Sequence, residues 1–446
     1  MIGMKSRFKL GDILLLLGTL FVFILSIILW IFIMTNDQYF SHINQTNNVT
    51  DQEHNRNRIA SNLYIPTSSY GFKNGQLNRL YDSKKNLSLE FVNELKDVKY
   101  RNIEQASIGQ ENYEQFLNNP KYIQLTFPNE ISADVLTKKK LTQINPKFRR
   151  IFISNNNHYF YLGNDRTFTI YRIDLYNANF SRLRSFARNA QGKLPVKFVH
   201  LKDNYEVFYT QQQHWRVYSY LTNSQNNSYF VSRLLGTAHV TARSNKNGWT
   251  TYSLNYYTKL RVPQNSTNRH NFLYTRYEKS QAKTVSDQLL DSVEYVHKIG
   301  LSEQDLRYFD FGDGSVDYIN YIEGLPVFMD DHNVQVKTTF TQDAVELAFN
   351  NIDLQIPIPF DGQTRTLPPS AEVMQSLIAA GMKKSEIQRV IVAFRVEQDN
   401  SHDNLINLIP VYYVKAYDQW RSVSEWGKQN FSNLNKISSV KSEEGK

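Results

Sequence analysis

YIEGLPVF, residues 321–328, has the pattern of a strand, a tight turn and a second strand. Gly324 can adopt a positive φ angle without steric conflict, and Pro326 fixes its own φ angle. Apolar residues on both sides of the turn are expected to enter a hydrophobic core. No nucleophile or ligand set lies beside the stretch, apart from the triplet DDH at 330–332. We therefore interpret Tyr321, Gly324 and Pro326 as structural residues of a bend, whose exposed part would serve as a surface for a protein partner.

The plan of a helix, a short connector and an antiparallel hairpin occurs twice in the C-terminal part of the chain. In the first copy, SDQLLDSVEYVHKIG at 286–300 is an amphipathic helix, and DYINYI and VQVKTTF are the hairpin strands around YIEGLPVF. In the second copy, SAEVMQSLIAAG at 370–381 is the helix, with Ser370 as its expected N-cap. RVIVAFRVEQ and LINLIPVYYVKAY are its strands. This repeat predicts two related α+β units.

The region before these units also combines helices with strands. An amphipathic helix is expected at 87–98 and a further helix at 180–189, and YIQLTF, RRIFIS, HYFYLG and TFTIYRIDL have the composition of strands. Residues 196–280 are rich in tyrosine and alternate in short runs, which favours strands. The sequence therefore predicts that everything beyond the N-terminal segment belongs to the α+β class.

An apolar segment, ILLLLGTLFVFILSIILWIFIM at residues 13–34, contains no charged side chain. As a helix it would span about 33 Å at about 1.5 Å per residue, which is enough for the core of a bilayer. No small-residue cleavage site follows it, so we interpret it as an uncleaved transmembrane helix. Lys5, Arg7 and Lys9 precede the segment, whereas no Lys or Arg follows it before Arg56. This asymmetry predicts a cytoplasmic N-terminus and an extracytoplasmic remainder.

Three small or β-branched residues of that segment, Gly18, Val22 and Ser26, are spaced four apart. On a helix they share one face, where small residues allow a second helix to approach closely. They are therefore candidates for transmembrane interaction. The alternative, that they are ordinary lipid-facing residues, stays open.

The expected organisation is a single N-terminal transmembrane helix followed by three extracytoplasmic α+β domains, of which the last two contain the related helix and hairpin units. The segments are a cytoplasmic N-terminus at 1–12, the transmembrane helix at 13–34, a stalk at 35–60, an N-terminal α+β domain at 61–195, a middle β-rich α+β domain at 196–350, a C-terminal α+β domain at 351–430 and a polar tail at 431–446.

Composition excludes several classes of function. The chain contains no cysteine, which rules out disulfides, thiolate catalysis and cysteine-ligated zinc. The net charge is +9, from 51 Lys and Arg and 42 Asp and Glu, and the densest basic runs, at 138–140 and 147–150, are short. A nucleic-acid-binding protein would require a concentrated basic stripe. We therefore expect a mixed, solvated surface and no nucleic-acid partner.

The sequence contains only weak matches to motifs of catalysis or metal binding. Ser-x-x-Lys occurs at 6–9, 280–283 and 438–441, but no partner triplet accompanies it. DFGDGS at 310–315 lacks the ligand spacing of a calcium loop, so we interpret it as a turn, and we interpret the DDH triplet at 330–332 likewise. We predict no catalytic, cofactor-binding or metal-binding residue. Carboxylate pairs for glycoside hydrolysis stay open, because their spacing is spatial rather than sequential.

Several features together resemble the YycH family of membrane-anchored proteins. They are the N-terminal apolar segment, the length of the chain, the segment SVDYINYIEGLPVF and the terminal hairpin VIVAFRV…NLINLIPVYYVKAYDQW. The resemblance covers essentially the whole chain and implies three extracytoplasmic domains, the last two related to the protein YycI. It further implies association with a YycI-like protein and with the sensor histidine kinase WalK (YycG), partly through transmembrane helices in the bilayer. The family has no catalytic residues to carry over.

The leading hypothesis is therefore a non-enzymatic, membrane-anchored regulator of a sensor histidine kinase that controls cell-wall metabolism in a Gram-positive bacterium. Two other hypotheses stay open at this stage. One is an extracytoplasmic enzyme that acts on the cell wall, and the other is a passive wall-binding module.

Overall fold

The computed structural model describes most of the chain outside its two ends. The described residues are 18–27, 59–81, 86–95, 98–138, 144–190, 192–264, 270–278, 284–301, 305–329, 334–358, 363–399, 402 and 404–436. The chain divides into two compact units, residues 1–54 and residues 55–446.

In the first unit, residues 18–27 form a helix with exposed side chains. Gly18, Val22 and Ser26 lie on it, and whether they contact another helix stays a prediction. Of the helices among the described residues, none combines the length and the apolar character needed to cross a membrane. The rest of the predicted transmembrane segment at 13–34 and nearly all of the stalk at 35–60 lie outside the described residues, so a single transmembrane span stays a prediction.

The second unit is mixed α+β, as predicted, and it is built on two large antiparallel-rich sheets. The N-terminal sheet has the strand order β3-β7-β6-β5-β4-β1-β2-β8-β9. Its strands are β1 (Ser68–Lys73), β2 (Gln76–Tyr81), β3 (Lys99–Ile108), β4 (Ile123–Ser132), β5 (Lys147–Ile153), β6 (Tyr159–Asn164), β7 (Thr169–Tyr176), β8 (Gly192–His200) and β9 (Tyr205–Tyr209).

The C-terminal sheet has the order β12-β13-β14-β15-β20-β19-β17-β18-β23-β24-β11-β21, and β16 and β25 pair with β17 and β24. Its strands are β11 (Tyr218–Ser224), β12 (Thr241–Ser244), β13 (Trp249–Ser253), β14 (Thr258–Pro263), β15 (Asn271–Tyr277), β16 (Leu306–Gly312), β17 (Ser315–Ile322), β18 (Leu325–Phe328), β19 (Val336–Phe340), β20 (Ala344–Asn350), β21 (Ile352–Ile358), β23 (Ile387–Gln398), β24 (Leu405–Ala416) and β25 (Gln419–Ser422). A separate pair consists of β10 (Gln213–Arg216) and β22 (Thr364–Leu367).

Helices cover parts of both sheets. They are α1 (Leu87–Glu94), α2 (Gln110–Leu117), α3 (Ala133–Thr137), α4 (Ser181–Asn189), α5 (Asn227–Leu235), α6 (Val285–Ile299), α7 (Ser370–Ala379) and α8 (Val423–Trp426). The longest, α6, begins with a capping box between Thr284 and Asp287 and ends at Gly300, whose φ angle is 73°. This left-handed residue terminates the helix because a glycine adopts that conformation without a Cβ conflict.

The two sheets share their hydrophobic cores. One core cluster includes Phe127 and Phe148 of the N-terminal sheet together with Leu289 of α6. Tyr64, just before β1, donates its hydroxyl hydrogen to the carbonyl oxygen of Leu289 at 2.6 Å, and its oxygen lies 2.7 Å from the hydroxyl of Tyr318. These long-range contacts fasten the N-terminal sheet to the C-terminal sheet.

YIEGLPVF forms the hairpin that its sequence predicts, and it also continues the C-terminal sheet. Ile322 of β17 pairs with Leu325 of β18, and the two turn residues between them have positive φ angles of 50° and 73°. This is the requirement of a type I′ turn, whose twist matches that of the strands. The second strand, β18, then pairs in parallel with β23, so that Val327 lies opposite Phe394. The stretch therefore joins the strands before it to the C-terminal hairpin.

The other predicted hairpins are confirmed. DYINYI pairs with VQVKTTF through β17 and β19, and RVIVAFRVEQ pairs with LINLIPVYYVKAY through β23 and β24. DFGDGS forms a tight turn between β16 and β17, with positive φ angles at Asp313 and Gly314. The DDH triplet at 330–332 lies outside the described residues.

The prediction of Ser370 as an N-cap is wrong. The N-cap of α7 is Pro369, and Ser370 is the first residue of the helix. Its hydroxyl oxygen accepts a hydrogen bond from the backbone nitrogen of Tyr209 at 2.9 Å and lies 3.1 Å from the hydroxyl of Tyr412. The serine therefore anchors the helix to β9 instead of capping it.

The boundaries of the three predicted domains stay a prediction. Strand β8 runs from Gly192 to His200 and pairs with β2 and β9, and the C-terminal sheet contains strands from both 196–350 and 351–430.

Candidate functional site: a cleft at the Glu323–Gly324 turn

A cleft of about 400 Å³ lies where the YIEGLPVF turn meets the start of the N-terminal sheet. This volume is within the range of pockets that hold small ligands or peptide side chains. The lining residues are 65–69, Arg79, Leu80, Tyr81, 86–89, Asp305, Arg307, Tyr321, Glu323 and Gly324.

Arg79 of β2 holds the turn from one side of the cleft. Its Nη2 donates to the carbonyl oxygens of Glu323 at 3.2 Å and Gly324 at 3.3 Å. A Cβ atom added to Gly324 would lie 2.9 Å from that nitrogen and 3.1 Å from the carbonyl oxygen of Thr67. Glycine is therefore required at this position for two reasons, the positive φ angle and the close approach of two other chain segments.

The charges of the cleft balance. Two arginines, Arg79 and Arg307, face two carboxylates, Asp305 and Glu323. Burial raises the pKa of the Asp305 carboxyl, and neighbouring Arg307 opposes that shift only in part. Burial and the nearby Glu323 carboxylate raise the pKa of Tyr81. The cleft thus offers hydrogen-bond donors and acceptors together with both positive and negative side chains. This mixture suits the polar groups of another protein chain better than a strongly charged small ligand.

Nothing in the described lining resembles a nucleophile with an adjacent base. The lining includes no histidine, cysteine or lysine among the described residues. Likewise, in the part of the chain that the structure describes, no group of three His, Asp or Glu side chains converges to hold a metal ion.

Behind the cleft, a chain of buried ion pairs crosses from one sheet to the other. Glu206 of β9 lies 2.7 Å from Arg149 of β5 and 3.3 Å from Arg389 of β23. Asp165 lies 3.0 Å from Arg149 and 2.7 Å from Arg150 and is completely buried. Burial alone would raise the pKa of Asp165, but the two guanidinium groups outweigh it and the pKa is lowered. We call these five residues the ionic chain.

The ionic chain and the predicted bend residues meet at a second, smaller cavity of about 80 Å³. Tyr321, Gly324 and Pro326 line it together with Arg149, Glu206 and Arg389. The structure therefore brings the three predicted bend residues to one place, although a functional role for them stays a prediction. Gly18, Val22 and Ser26 lie on the helix of the first unit.

Sequence reasoning missed the ionic chain. The run at 147–150 has the composition of a short basic cluster on a solvated surface, but Arg149 and Arg150 are at most 4% exposed. A signal is present in the strand KFRRIFI, because the two arginines lie between Phe148 and the apolar run Ile151–Ile153. A buried strand that contains charges requires partners elsewhere.

A second carboxylate cluster lies on β16 and β17. Asp310 accepts hydrogen bonds from Lys415 Nζ at 2.6 Å and from Trp420 Nε1 at 3.3 Å. Among the described residues, Oδ1 of Asp317 is buried without a hydrogen-bond partner. Burial, with a further contribution from Asp310, raises the pKa of Asp317 to about 7, although Lys337 and Lys415 oppose this shift.

Asp317→Asn is expected to stabilise the protein at neutral pH by about 1–2 kcal/mol. Because the pKa of Asp317 is raised on folding, the folded state binds the proton more tightly than the unfolded state between about pH 4 and pH 7. The free energy of unfolding of the wild type should therefore fall as the pH rises through this window. That of Asp317→Asn should fall by less. Urea unfolding of both proteins at pH 5 and pH 7.5 measures this difference. Glu111→Gln, at an exposed position of α2, is the control for the loss of a carboxylate that is not buried. Parallel pH profiles for wild type and Asp317→Asn would contradict it.

Comparison with known proteins identifies a similar family and a similar fold. A family model described as the YycH protein, C-terminal domain, matches residues 206–430, about half of the chain. The fold is similar to that of the crystal structure of YycH from Bacillus subtilis, with a TM-score of 0.65 and 14% sequence identity. The match covers 82% of this chain and 96% of that chain, and at this identity it concerns the fold alone. No curated protein sequence matches this chain.

Proposed function

This chain belongs to the YycH family, and from that premise we propose that it is a non-enzymatic regulator of a sensor histidine kinase of the YycG (WalK) type, acting in the control of cell-wall metabolism. The observation that carries the proposal is the family match over residues 206–430, which contain both YIEGLPVF and the C-terminal hairpin. The proposed location is the cell membrane, with the N-terminus in the cytoplasm and the second unit outside.

The proposed partners are the kinase and a YycI-like protein. The cleft supports an extracytoplasmic contact, since it is lined by balanced charges and by a turn that Arg79 holds in place. The apolar segment 13–34 supports a contact within the bilayer. A regulator of this kind acts by binding one state of the kinase more tightly than another, which shifts the equilibrium between them.

Replacing residues 13–34 with an unrelated apolar helix tests the transmembrane part of the proposal. We expect the kinase and the YycI-like protein to be lost from co-purification in mild detergent, because the helix contacts would be gone while the second unit is intact. We also expect kinase-dependent transcription to become the same as in a strain that lacks the protein. Unchanged co-purification together with unchanged transcription would overturn the claim of transmembrane coupling.

A matched pair of variants locates the contact on the helix. Gly18→Leu with Ser26→Leu enlarges the predicted interaction face and should reproduce the effect of the helix replacement. Leu20→Ala with Ile24→Ala changes the opposite face by a similar volume and should leave co-purification intact. Equal effects from the two pairs would remove Gly18, Val22 and Ser26 from the interface.

A further inference from the structure

At the end of the C-terminal sheet formed by β12–β15, the described helices α5 and α6 pack on one face, which we call the inner face. The inner face carries the buried side chains Leu260, Val262, Phe272 and Tyr274, which pack with α5 and α6 in one core cluster. Phe230 of α5, for example, lies 4.9 Å from Phe272 between ring centroids. The side chains that alternate with these point to the opposite, outer face.

The outer face presents basic side chains next to aromatic rings. The pairs Arg243 with Thr251 and Thr251 with Arg261 place the two arginines on the same face. Arg261 lies over the ring of Trp249 at 4.9 Å, and Lys259 lies over the ring of Tyr277 at 5.5 Å. Lys259 and Arg261 are thus held by aromatic rings, and among the described residues neither forms an ion pair with a carboxylate, so this face is positive.

Acidic residues are missing from this part of the sequence. Between Glu206 and Glu278 the chain contains eight Lys and Arg and no Asp or Glu. If the strands are counted across the sheet from β12, the first carboxylate on the outer face belongs to Glu346 of β20, which pairs with Thr275 of β15. Glu278, at the end of β15, forms an ion pair with Arg276 at 3.0 Å. The positive charge of β12–β14 therefore has no acidic counterpart on its own strands.

The loop between β13 and β14 forms an aromatic tip at the end of this face. Tyr256 is 90% exposed and Tyr257 is 65% exposed, and the partly exposed Leu254 lies beside them in the chain. The loop has a defined shape, because Asn255 Oδ1 accepts hydrogen bonds from the backbone nitrogens of Tyr257 and Thr258, both at 2.8 Å. The Tyr277 nitrogen donates to the Tyr257 carbonyl oxygen at 2.7 Å and ties the tip to β15.

We propose that this end of the sheet, the tip at 254–257 and the basic face of Arg243, Lys259 and Arg261, binds the surface of an anionic phospholipid bilayer. Tyrosine is favoured at the interface between headgroups and acyl chains, where its ring is shielded and its hydroxyl stays hydrated. Lys and Arg near an anionic bilayer are attracted to its negative surface potential. The exposed aromatic tip lies in front of a basic face whose strands carry no acidic residue. Such a face is complementary to a continuous negative surface, and this charge complementarity favours lipid over a folded partner with its own carboxylates. The proposal is independent of the kinase contact.

The absence of cysteine makes the proposal measurable at a single position. The full chain with Leu254→Cys, carrying an environment-sensitive fluorophore, is reconstituted into vesicles that contain a lipid-borne quencher. We expect strong quenching in an equimolar mixture of phosphatidylcholine and phosphatidylglycerol, weak quenching in phosphatidylcholine alone, and loss of the difference in high salt. A label at Gln115→Cys, an exposed position of α2, measures the quenching expected for a site without membrane contact.

Removing the three charges should abolish the effect. Arg243→Gln, Lys259→Gln and Arg261→Gln together are expected to lower the ratio of bound to free tip by about 100-fold, since each cation contributes roughly 1 kcal/mol near an anionic surface. The control, Lys99→Gln, Lys121→Gln and Lys197→Gln, makes the same change in net charge at exposed sites on β3, just before β4 and on β8, and should retain the quenching.

Three outcomes would overturn the proposal. The Leu254→Cys label could respond to anionic vesicles no more than the Gln115→Cys label does. Its quenching could survive in the triple variant of the basic face. Finally, soluble polyphosphate could shift the label where vesicles do not, which would assign the face to a polyanionic polymer instead of a bilayer.

Discussion

Asp165→Ala is expected to lower the free energy of unfolding by about 3–5 kcal/mol. The carboxylate is completely buried and lies 2.7 Å from Arg150 and 3.0 Å from Arg149. It also accepts hydrogen bonds from the Tyr113 hydroxyl and, at 3.2 Å, from the backbone nitrogen of Tyr205. Its removal leaves the buried guanidinium of Arg150 without a carboxylate partner among the described residues, and desolvation of a charge in the interior is strongly unfavourable. Urea unfolding followed by tyrosine and tryptophan fluorescence at pH 7 measures the loss.

A matched ion pair on the same sheet provides the control. Arg172 and Asp174 lie 2.8 Å apart on β7, but both are partly exposed. Asp174→Ala should therefore cost less than about 1 kcal/mol, because water replaces the lost partner. Equal losses from the two variants would mean that the ionic chain contributes no more than a surface pair.

Acid should remove the difference between wild type and Asp165→Ala. Because Arg150 and Arg149 outweigh the effect of burial, the pKa of Asp165 is lower in the folded state than in the unfolded state. Its contribution to stability is therefore complete above the pKa of the unfolded chain and is lost as the pH falls through the folded pKa. Unfolding curves of the two proteins should converge in acid.

The hairpins of the C-terminal sheet could be predicted because their determinants are local. In YIEGLPVF, the turn glycine and the apolar residues around it lie within eight positions, and the turn type follows from them. The long strands β23 and β24 were predicted for the same reason, since their alternation and β-branched content are continuous along the chain.

The parallel pairing of β18 with β23 could not be predicted in this way. It brings Val327 opposite Phe394 across α7 and the four intervening strands β19, β20, β21 and β22. Both strands are apolar on both faces here, so the hydrophobic pattern specifies neither partner nor register. The pairing of β18 with β23 depends on the tertiary fold of the whole second unit and not on a local sequence motif.

The ionic chain was missed for a related physical reason. Lys147, Arg149 and Arg150 have the composition of a surface cluster. The desolvation cost of burying the two arginines is offset only by carboxylates that are distant in sequence. Those partners, Asp165 and Glu206, come from a loop and from another strand. Charge composition alone cannot distinguish an exposed basic cluster from a buried one. The apolar residues around the arginines in β5 can indicate burial.

Gly324→Ala is expected to lower the free energy of unfolding by about 2–4 kcal/mol, which combines the strain of a left-handed residue with a steric conflict. The new Cβ would lie 3.1 Å from the carbonyl oxygen of Thr67, a backbone atom that β1 holds in place, and 2.9 Å from Arg79 Nη2. Arg79 must then move, and its hydrogen bonds to the turn carbonyls are lost. The same displacement changes the shape of the cleft, so binding of an extracytoplasmic partner should weaken as well.

Gly75→Ala isolates the steric part of this effect. Gly75 occupies the same position of the hairpin between β1 and β2, with a φ angle of 77° against 73° at Gly324, but a Cβ there would meet no atom within 4 Å. Its substitution should cost only the backbone strain, about 1–2 kcal/mol, and should leave partner binding unchanged. The difference between the two variants is therefore the energy of the contact between the YIEGLPVF turn and the N-terminal sheet. If both lose the same stability in urea unfolding and co-purify equally with the partner, the turn is not held by that contact and the cleft is not the binding surface.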